Sequence, residues 1–263
     1  MKQRSPTEQI HIWRVPLSQP DNVLIRLEGL LNREEKERGA RFHFSKDRRR
    51  YTVARGALRT ILAEYLEEKP EQLCFHLGRF GKPCLAGLPD QSGGSRVADS
   101  RRVGETRTVP NSPALHFNLS HCQDLALIAV SAERLVGVDV EKVRNVGTLG
   151  SIVDRYFSRG EKRLLAEVPP AERPIALLTL WSRREAAAKA LGLNLSAALS
   201  AVELPVYPRG GSDQLPQLAD LETDAGEKRP TWFIRDLELD AGHVGALCSE
   251  GSQIPVVFRD FGD

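Results

Sequence analysis

The sequence predicts an α+β fold arranged as a two-lobed pseudodimer, each lobe being a small antiparallel sheet packed with helices. Both halves of the chain follow the same order of strand, helices, strand and strand, read from the spacing of their apolar residues. The length of 263 residues, with 41% hydrophobic and 27% charged, is typical of a globular protein. We place the N-terminal lobe at 1–134 and the C-terminal lobe at 135–263, with a site between them.

Local signals define the elements of the first lobe. Asn32, followed three residues later by Glu35, is typical of a helix start. Residues 89–113 contain almost no large apolar side chains, so we expect a flexible surface insertion without chemistry. The predicted elements are a strand at 11–17, a polar helix at 27–42, a long helix at 47–68, a strand, turn and strand at 73–85, and a loop followed by a strand at 115–131.

The second lobe carries equally clear helix boundaries. Ser158 and Glu161 form a capping-box pattern, while Pro174 suits a first helical turn and Gly192 a helix end. The predicted elements are a strand at 135–143 in a hairpin with the strand before it, one or two helices at 151–168, a helix at 174–191, a loop at 205–230, and strands at 231–237 and 243–249.

Charge is distributed unevenly along the chain. The first 60 residues hold 14 Lys and Arg against 7 Asp and Glu, a net charge of +7, whereas the whole chain carries only +2. Such a bias predicts an anionic partner, either phosphates, nucleic acid or an acidic protein. The chain shows no signal peptide and no apolar run long enough for a membrane span, so we expect a cytoplasmic protein without a membrane partner.

The segment GVDVE, residues 137–141, places two carboxylates on one face of a strand. Asp139 and Glu141 project together because alternate strand residues share a face. One interpretation is a solvated edge of a sheet. The other is a divalent cation that offsets the repulsion between the carboxylates, and hard oxygen ligands favour Mg²⁺, with Mn²⁺ as a second candidate.

Two further segments carry groups that can hold phosphate oxygens. In FNLSH, residues 117–121, Ser120 and His121 can donate hydrogen bonds to phosphate, although ordinary turn chemistry also explains them. In GRFGKPCL, residues 78–85, Lys82 lies between a Gly and a Pro and is either solvated or a rigidly held phosphate anchor.

The helix predicted at 174–191 repeats Trp181, Glu185 and Lys189 at four-residue spacing on one face. A surface ion pair between Glu185 and Lys189 is the simple interpretation. A large aromatic ring on the same face favours a cleft instead. Together with Asp139 and Glu141, this face predicts a metal-assisted centre for phosphoryl transfer.

The ordered series GKP (81–83), FNLSH (117–121), GVDVE (137–141) and WSRREAAAK (181–189) closely resembles the Sfp-type 4′-phosphopantetheinyl transferases. The stretch FSRGEKRLL (157–165) is also similar to a segment of that family. The resemblance implies an enzyme that binds coenzyme A and Mg²⁺ between two lobes. It moves the phosphopantetheine arm onto a serine of an apo acyl or peptidyl carrier protein and releases adenosine 3′,5′-bisphosphate.

The resemblance also implies roles for residues that match its motifs. Asp139, Glu141 and Glu185 would bind the metal, and Lys189 would contact the pyrophosphate. For the base that accepts the serine proton, Glu185 is the first choice and Glu141 the second. The coenzyme-binding set implied by the resemblance is Arg38, Lys82, Ser120, His121 and Lys189.

One position departs from the family pattern. The family grips the 3′-phosphate with cations of its basic helix, and alignment on residues 41–42 puts Arg38 at one of these positions but Glu35 at another. Lys36 or Arg33 could substitute there. Because carrier proteins are usually acidic, part of the N-terminal basic excess could also serve docking.

Two other classes of function compete with the transferase. A metal-dependent phosphodiesterase or nuclease would use the same carboxylates and would cleave nucleic acid without a carrier protein. A non-catalytic basic module would bind nucleic acid without Mg²⁺. The ordered motifs disfavour both, so we expect no nucleic-acid partner, and two lobes in one chain favour a monomer.

Overall fold

The structure is a computed structural model that describes residues 9–77, 83–85, 115–144, 153, 156–193 and 232–262. Within these ranges the chain forms strands and α-helices, together with a short 3₁₀ helix at Pro70–Gln72. The strands are β1 (Ile10–Pro16), β2 (Phe75–Leu77), β3 (Pro83–Leu85), β4 (His116–Cys122), β5 (Leu125–Ser131), β6 (Val136–Lys142), β7 (Trp232–Leu237), β8 (His243–Glu250) and β9 (Val256–Asp260). The helices are α1 (Asp21–Gly29), α2 (Arg33–Ala40), α3 (Ser45–Leu66), α4 (Arg159–Glu167) and α5 (Arg173–Leu191).

Three sheets organise these strands. The first has the order β4-β5-β1-β9, the second pairs β2 with β3, and the third has the order β6-β8-β7. All strand pairs are antiparallel except β1 with β9, which is parallel. The prediction of an α+β fold with small sheets is therefore confirmed, with one parallel pair added.

The first and third sheets pack face to face through apolar side chains, and a helix covers the outer face of each sheet. Helix α3 packs on one face of the first sheet through residues such as Leu58 and Ile61, which are fully buried. The other face of that sheet, with Ile12 and Leu127, packs on Val138 of the third sheet. Helix α5 covers the far side of the third sheet. Alternate residues of β6 therefore point to opposite layers, the valines into the sheet-to-sheet core and residues 137, 139 and 141 toward α5.

Several local predictions are confirmed by the structure. Asn32 and Glu35 form a capping box at the start of α2, and Ser158 and Glu161 form another at the start of α4. Helix α5 has a Pro in its first turn and ends at Gly192, whose positive φ of 62° is a left-handed conformation that favours glycine. The strands β7 and β8 lie close to their predicted positions.

Three predictions are wrong. The single helix at 27–42 is two helices, because the capping box at Asn32 starts a new helix after α1 ends. The loop expected before the strand in 115–131 is strand β4, which pairs with β5 along its whole length. The predicted hairpin between β5 and β6 does not form, since β5 pairs with β1 and β4 whereas β6 pairs with β8. The insertion at 89–113 and the loop at 205–230 lie outside the described residues.

Strand β9 was not predicted at all. After β8 the chain returns to the first sheet and adds β9 beside β1, with Val257 opposite His11. Arg14 of β1 forms a two-pronged ion pair with Asp260 of β9, at 2.8 and 2.6 Å. The chain therefore leaves the first sheet after β5 to form the third sheet and returns after β8 to add β9 at the edge of the first sheet.

Candidate active site

Strand β6 and helix α5 approach each other closely because Gly137 has no side chain. A Cβ at this position would overlap the carbonyl oxygen of Ala186 and the amide nitrogen of Ala190. Small residues on both elements therefore set a short distance between the strand and the helix. The polar residues that follow on each element are consequently brought together.

Lys189 of α5 joins β6 to β4 through a buried polar network. Its ammonium nitrogen lies 2.7 Å from Oδ1 of Asp139, and it also donates to Oγ of Ser120 at 3.0 Å and to the carbonyl of Val138 at 3.3 Å. Ser120 in turn donates to Oδ1 of Asp139 at 2.8 Å. Asp139 is only 4% exposed, and its Oδ2 is buried with no hydrogen-bond partner among the described residues.

Glu141 and Glu185 interact electrostatically with this network. Burial raises the pKa of Glu141, the charges of Asp139 and Glu185 raise it further, and Arg144 and a hydrogen bond with Trp181 oppose them. Burial also raises the pKa of Glu185, where the charge of Lys189 lowers it and that of Asp139 raises it. The three carboxylates thus interact electrostatically in a partly buried place.

This donor set suits a hard divalent cation, although it does not enclose one in this conformation. Asp139 has a buried oxygen without a partner, and Glu141 has a pKa raised by neighbouring carboxylates, both of which a cation would relieve. The described part of the chain contains no group of three or more His, Cys, Asp or Glu side chains that could hold a metal ion. The position beside Oδ1 of Asp139 is taken by the amine of Lys189.

The face of α5 that carries Trp181, Glu185 and Lys189 is only partly exposed. Lys189 forms an ion pair with Asp139 on β6, and its charge also lowers the pKa of Glu185 on the same helix. Trp181 bonds Glu141 on β6 and packs its ring against Tyr156. The cleft at this face stays a prediction.

His121 lies next to Ser120 but points to the other side of β4. The side chain is exposed, yet partial burial lowers its pKa, followed by the charges of Lys189 and Arg50. Asp47 has the opposite effect. The first turn of α3 is thus close to the end of β4, where Arg50 also bonds Asp124 at 2.8 Å.

Sequence reasoning missed two side chains on β4. Oδ1 of Asn118 accepts a hydrogen bond of 2.9 Å from the backbone of Val138, which ties β4 to β6. Cys122 lies 3.9 Å from Oε2 of Glu141 and accepts from the backbone of Lys142 at 3.2 Å. The sequence signal that could have found them is their spacing, since residues 118, 120 and 122 share one face of a strand with Ser120 in the middle. The expectation of a loop concealed it.

The remaining predicted residues lie elsewhere. Arg38 is exposed on α2, and its charge opposes the burial that raises the pKa of Tyr51 on α3. Lys82 lies outside the described residues. Glu35, the position where a cation was expected, is 6% exposed and pairs with two arginines of α3, Arg55 at 2.6 Å and Arg59 at 2.7 Å. Glu35 therefore has a structural role.

A half-buried lysine, a serine and three carboxylates lie together where β6 meets α5, and a lysine and a serine in such a group can hold phosphate oxygens. Comparison with known proteins specifies the class. Residues 135–243 match the model of the 4′-phosphopantetheinyl transferase superfamily, and residues 18–133 match that of the 4′-phosphopantetheinyl transferase N-terminal region. The chain therefore belongs to the 4′-phosphopantetheinyl transferase superfamily.

Full-length relatives agree with this membership. The chain is 34% identical to the 4′-phosphopantetheinyl transferase HetI of Nostoc sp. over 245 residues, which cover 93% of this chain and 89% of the relative. It is 24% identical to the 4′-phosphopantetheinyl transferase Sfp of Bacillus subtilis, with 91% and 90% covered. A phosphopantetheinyl transferase of Thraustochytrium sp. is 26% identical, with 88% and 74% covered.

The prediction of a 4′-phosphopantetheinyl transferase is confirmed by these matches, and the family takes its phosphopantetheine from coenzyme A. Among the described residues, no helix is both long enough and apolar enough to cross a membrane.

Proposed function

We propose that this chain transfers 4′-phosphopantetheine from coenzyme A to a serine of an apo acyl or peptidyl carrier protein, with Mg²⁺, and releases adenosine 3′,5′-bisphosphate. The observation that supports this most directly is the convergence of β6 and α5. It brings Asp139 and Glu141 beside Glu185 and Lys189, next to Ser120. Mn²⁺ is an alternative to Mg²⁺ for these oxygen ligands.

The metal ligands of the proposal are Asp139, Glu141 and Glu185. Their support is the unpartnered buried oxygen of Asp139 and the raised pKa values of the two glutamates, which burial causes first and neighbouring carboxylates increase. A bound divalent cation would supply positive charge to the pyrophosphate.

Lys189 and Ser120 contribute directional hydrogen bonds in this scheme. Lys189 is a donor of three hydrogen bonds and lies at the mouth of the carboxylate group, so it can turn from Asp139 to a pyrophosphate oxygen. Ser120 and the exposed His121 would donate to the nucleotide phosphates. Arg38 and Lys82 complete the proposed coenzyme-binding residues.

The chemical step needs one base. The carrier serine oxygen forms a bond with the β-phosphorus, the bond from that phosphorus to the bridging oxygen breaks, and the bridging oxygen leaves with the adenosine bisphosphate. The serine proton passes to Glu185, or to Glu141 as the second candidate. Their raised pKa values bring both carboxyls nearer to the operating pH, which favours proton transfer.

Three architectural expectations belong to the same proposal. The chain divides into lobes at 134/135, it acts as a cytoplasmic monomer, and it has no nucleic-acid partner. The division is supported by the strands β1, β4 and β5 of the first sheet, which precede residue 135, and by all three strands of the third sheet, which follow it, whereas β9 crosses back to the first sheet.

The experiment is to incubate the protein with coenzyme A, Mg²⁺ and a panel of apo carrier proteins, and to look for the phosphopantetheine adduct by mass spectrometry. Asp139→Ala and Glu185→Ala should fold and lose transfer, whereas Glu167→Ala, an exposed carboxylate on α4, should keep it. Near-wild-type transfer by the first two variants would refute the site assignment. Cleavage of DNA or RNA without a carrier would favour the nuclease.

A further inference from the structure

We propose that the α2–α3 corner, residues Arg41–Arg48, is the docking surface for an acidic protein partner with exposed apolar side chains. In terms of the function proposed above, on which this inference rests, that partner is the apo carrier protein. The corner is the turn between the two helices together with the first turn of α3.

Exposed aromatic rings distinguish this corner from the rest of the described surface. Phe44 is 59% exposed and Phe42 is 42% exposed, and the other large hydrophobic residues exposed in the described ranges are Ile25 and Leu164. The ring of Phe42 lies against Tyr51, while the ring of Phe44 packs edge-on against His43 and beneath the amine of Lys46. An exposed aromatic side chain at this position is typical of an interface anchor.

The position of Phe44 in the helix makes the exposure more informative. Phe44 is the N-cap of α3, with φ −95° and ψ 132°, and no side chain caps the helix there. Ser, Thr, Asp and Asn are the residues that stabilise this position, because their oxygens accept from the free amides of the first turn. Phe44 therefore neither caps the helix nor packs in the core. A departure from local preference without a structural gain is expected at a functional surface.

Charge complements the aromatic rings. Residues 41–50 carry five arginines and lysines and one aspartate, a net charge of +4 in a chain whose total is +2. Arg41, Lys46 and Arg48 are exposed, and no ion pair to any of them occurs among the described residues. Lys46 and Arg48 are two positions apart on a helix and so do not face each other. Cations spread in this way fit an acidic surface better than a single phosphate.

The corner adjoins the candidate active site. Arg50, one turn further along α3, acts on the pKa of His121 and bonds Asp124 at the turn between β4 and β5. A partner bound at Arg41–Arg48 therefore lies beside the end of β4, where Ser120 meets Asp139 and Lys189. This placement suits a protein whose serine must reach that site.

The test exploits the N-cap position. Phe44→Ser removes the exposed ring and introduces a capping side chain three residues before Asp47, so the thermal midpoint should stay equal or rise. We expect the KM for the apo carrier protein, and its Kd measured by fluorescence anisotropy, to rise about tenfold. The KM for coenzyme A and the kcat should not change. Ile25→Ser, which removes a similarly exposed apolar residue on α1, is the matched control and should change none of these values.

A second variant tests the charge. Lys46→Gln combined with Arg48→Gln should weaken carrier binding and flatten its dependence on salt, because screened attraction is lost. A rise in the KM for coenzyme A in either variant would overturn the proposal and assign the corner to the coenzyme. Carrier binding that is the same in the variants as in the wild type would overturn it as well. So would a Phe44→Ser variant that transfers phosphopantetheine with the same KM for the carrier as the wild type. If the wild type binds the carrier, Phe44→Ser weakens that binding and the wild type transfers no phosphopantetheine, the proposed function is refuted and the docking surface is not.

Discussion

The ammonium nitrogen of Lys189 lies 2.7 Å from Oδ1 of Asp139, in the place where the proposed divalent cation would need that oxygen. A built-in cation thus compensates a carboxylate that is 4% exposed. Coenzyme A and metal should therefore bind cooperatively, because phosphate oxygens that attract Lys189 free the carboxylate for the metal.

Removing the Lys189 charge should increase the affinity for metal in the absence of coenzyme A. In Lys189→Met no internal cation competes for Asp139, so we expect Mn²⁺ to bind about tenfold more tightly than to the wild type, measured by calorimetric titration. The unpaired buried carboxylate should also destabilise the fold, and saturating Mg²⁺ should raise the thermal midpoint more in the variant than in the wild type.

Lys189→Arg is the control for this prediction, since it keeps the charge next to Asp139. Its Mn²⁺ affinity should stay near that of the wild type. Weaker Mn²⁺ binding by Lys189→Met would contradict the competition between lysine and metal and would make Lys189 a simple support of the site.

The closeness of β6 and α5 should depend on Gly137. A side chain there overlaps backbone atoms of Ala186 and Ala190, which cannot move without displacing the helix. We expect Gly137→Ala to lower the free energy of unfolding by about 3 kcal/mol or more in urea titrations, and to reduce transfer strongly. Gly29→Ala is the control, because its Cβ would meet no atom within 4 Å and helix propensity favours alanine by about 0.5–1 kcal/mol. Equal stability of the two variants would contradict the close contact.

The parts of the site that could be predicted from the sequence are those set by short-range spacing. Asp139 and Glu141 share a strand face, and Trp181, Glu185 and Lys189 share a helix face, whatever the rest of the fold does. Which strand faces which helix is a long-range property. The pairing of β6 with α5 followed only from the resemblance to a known family. The residues that make this contact, Lys189 and Asp139, are 50 positions apart in the sequence.

The parts that could not be predicted depend on distant partners. A single strand such as β9 has no local signal of where it pairs, and its partner β1 lies at the other end of the chain. The polar residues of FNLSH are good turn formers, so their strand appears only once β5 and the side chains of β6 satisfy them. Glu35 resembled a misplaced surface charge because its partners are 20 and 24 residues away.

Glu35 should stabilise the N-terminal lobe through the two arginines that it holds. Arg59 is fully buried and also donates to the carbonyls of Pro70 and Leu73. Burial by itself would raise the pKa of Glu35, but the hydrogen bond of Arg59 and the charge of Arg55 outweigh it and lower the pKa below its usual value. The carboxylate is therefore charged at neutral pH and offsets part of the buried positive charge.

We expect Glu35→Gln to lower the free energy of unfolding by about 3–5 kcal/mol, because it leaves two arginines without a counter-ion. Glutamine preserves the capping box with Asn32, so the loss isolates the charge. The exposed neighbour Glu34 provides the control, and Glu34→Gln should change stability by less than about 0.5 kcal/mol in the same urea titrations. Similar midpoints for both variants would contradict a structural role for Glu35.

His11 should make the fold sensitive to acid. It is fully buried on β1, where its ring shares a hydrogen bond with the Tyr65 hydroxyl, which also accepts from Trp13 at 2.9 Å. Burial, together with the charge of Arg259 on β9, lowers the pKa of His11 to about 4, and burial raises the pKa of Tyr65 to about 12. Both groups are therefore neutral in the native protein at pH 7.

The sign of the pH effect follows from the lowered pKa of His11. Between pH 6.5 and about 4 the unfolded chain binds a proton that the folded protein excludes, so stability falls as the pH decreases through this window. The loss approaches about 1.4 kcal/mol per pH unit and totals about 3 kcal/mol. Urea titrations of the wild type and of His11→Gln at pH 7.5, 6, 5 and 4 measure this loss. The contributions of the other titrating groups cancel when the unfolding free energies of the two proteins are subtracted. His11→Gln should be less stable at pH 7.5 and should lose less stability on acidification, and parallel curves for the two proteins would show that His11 is protonated without cost to the fold.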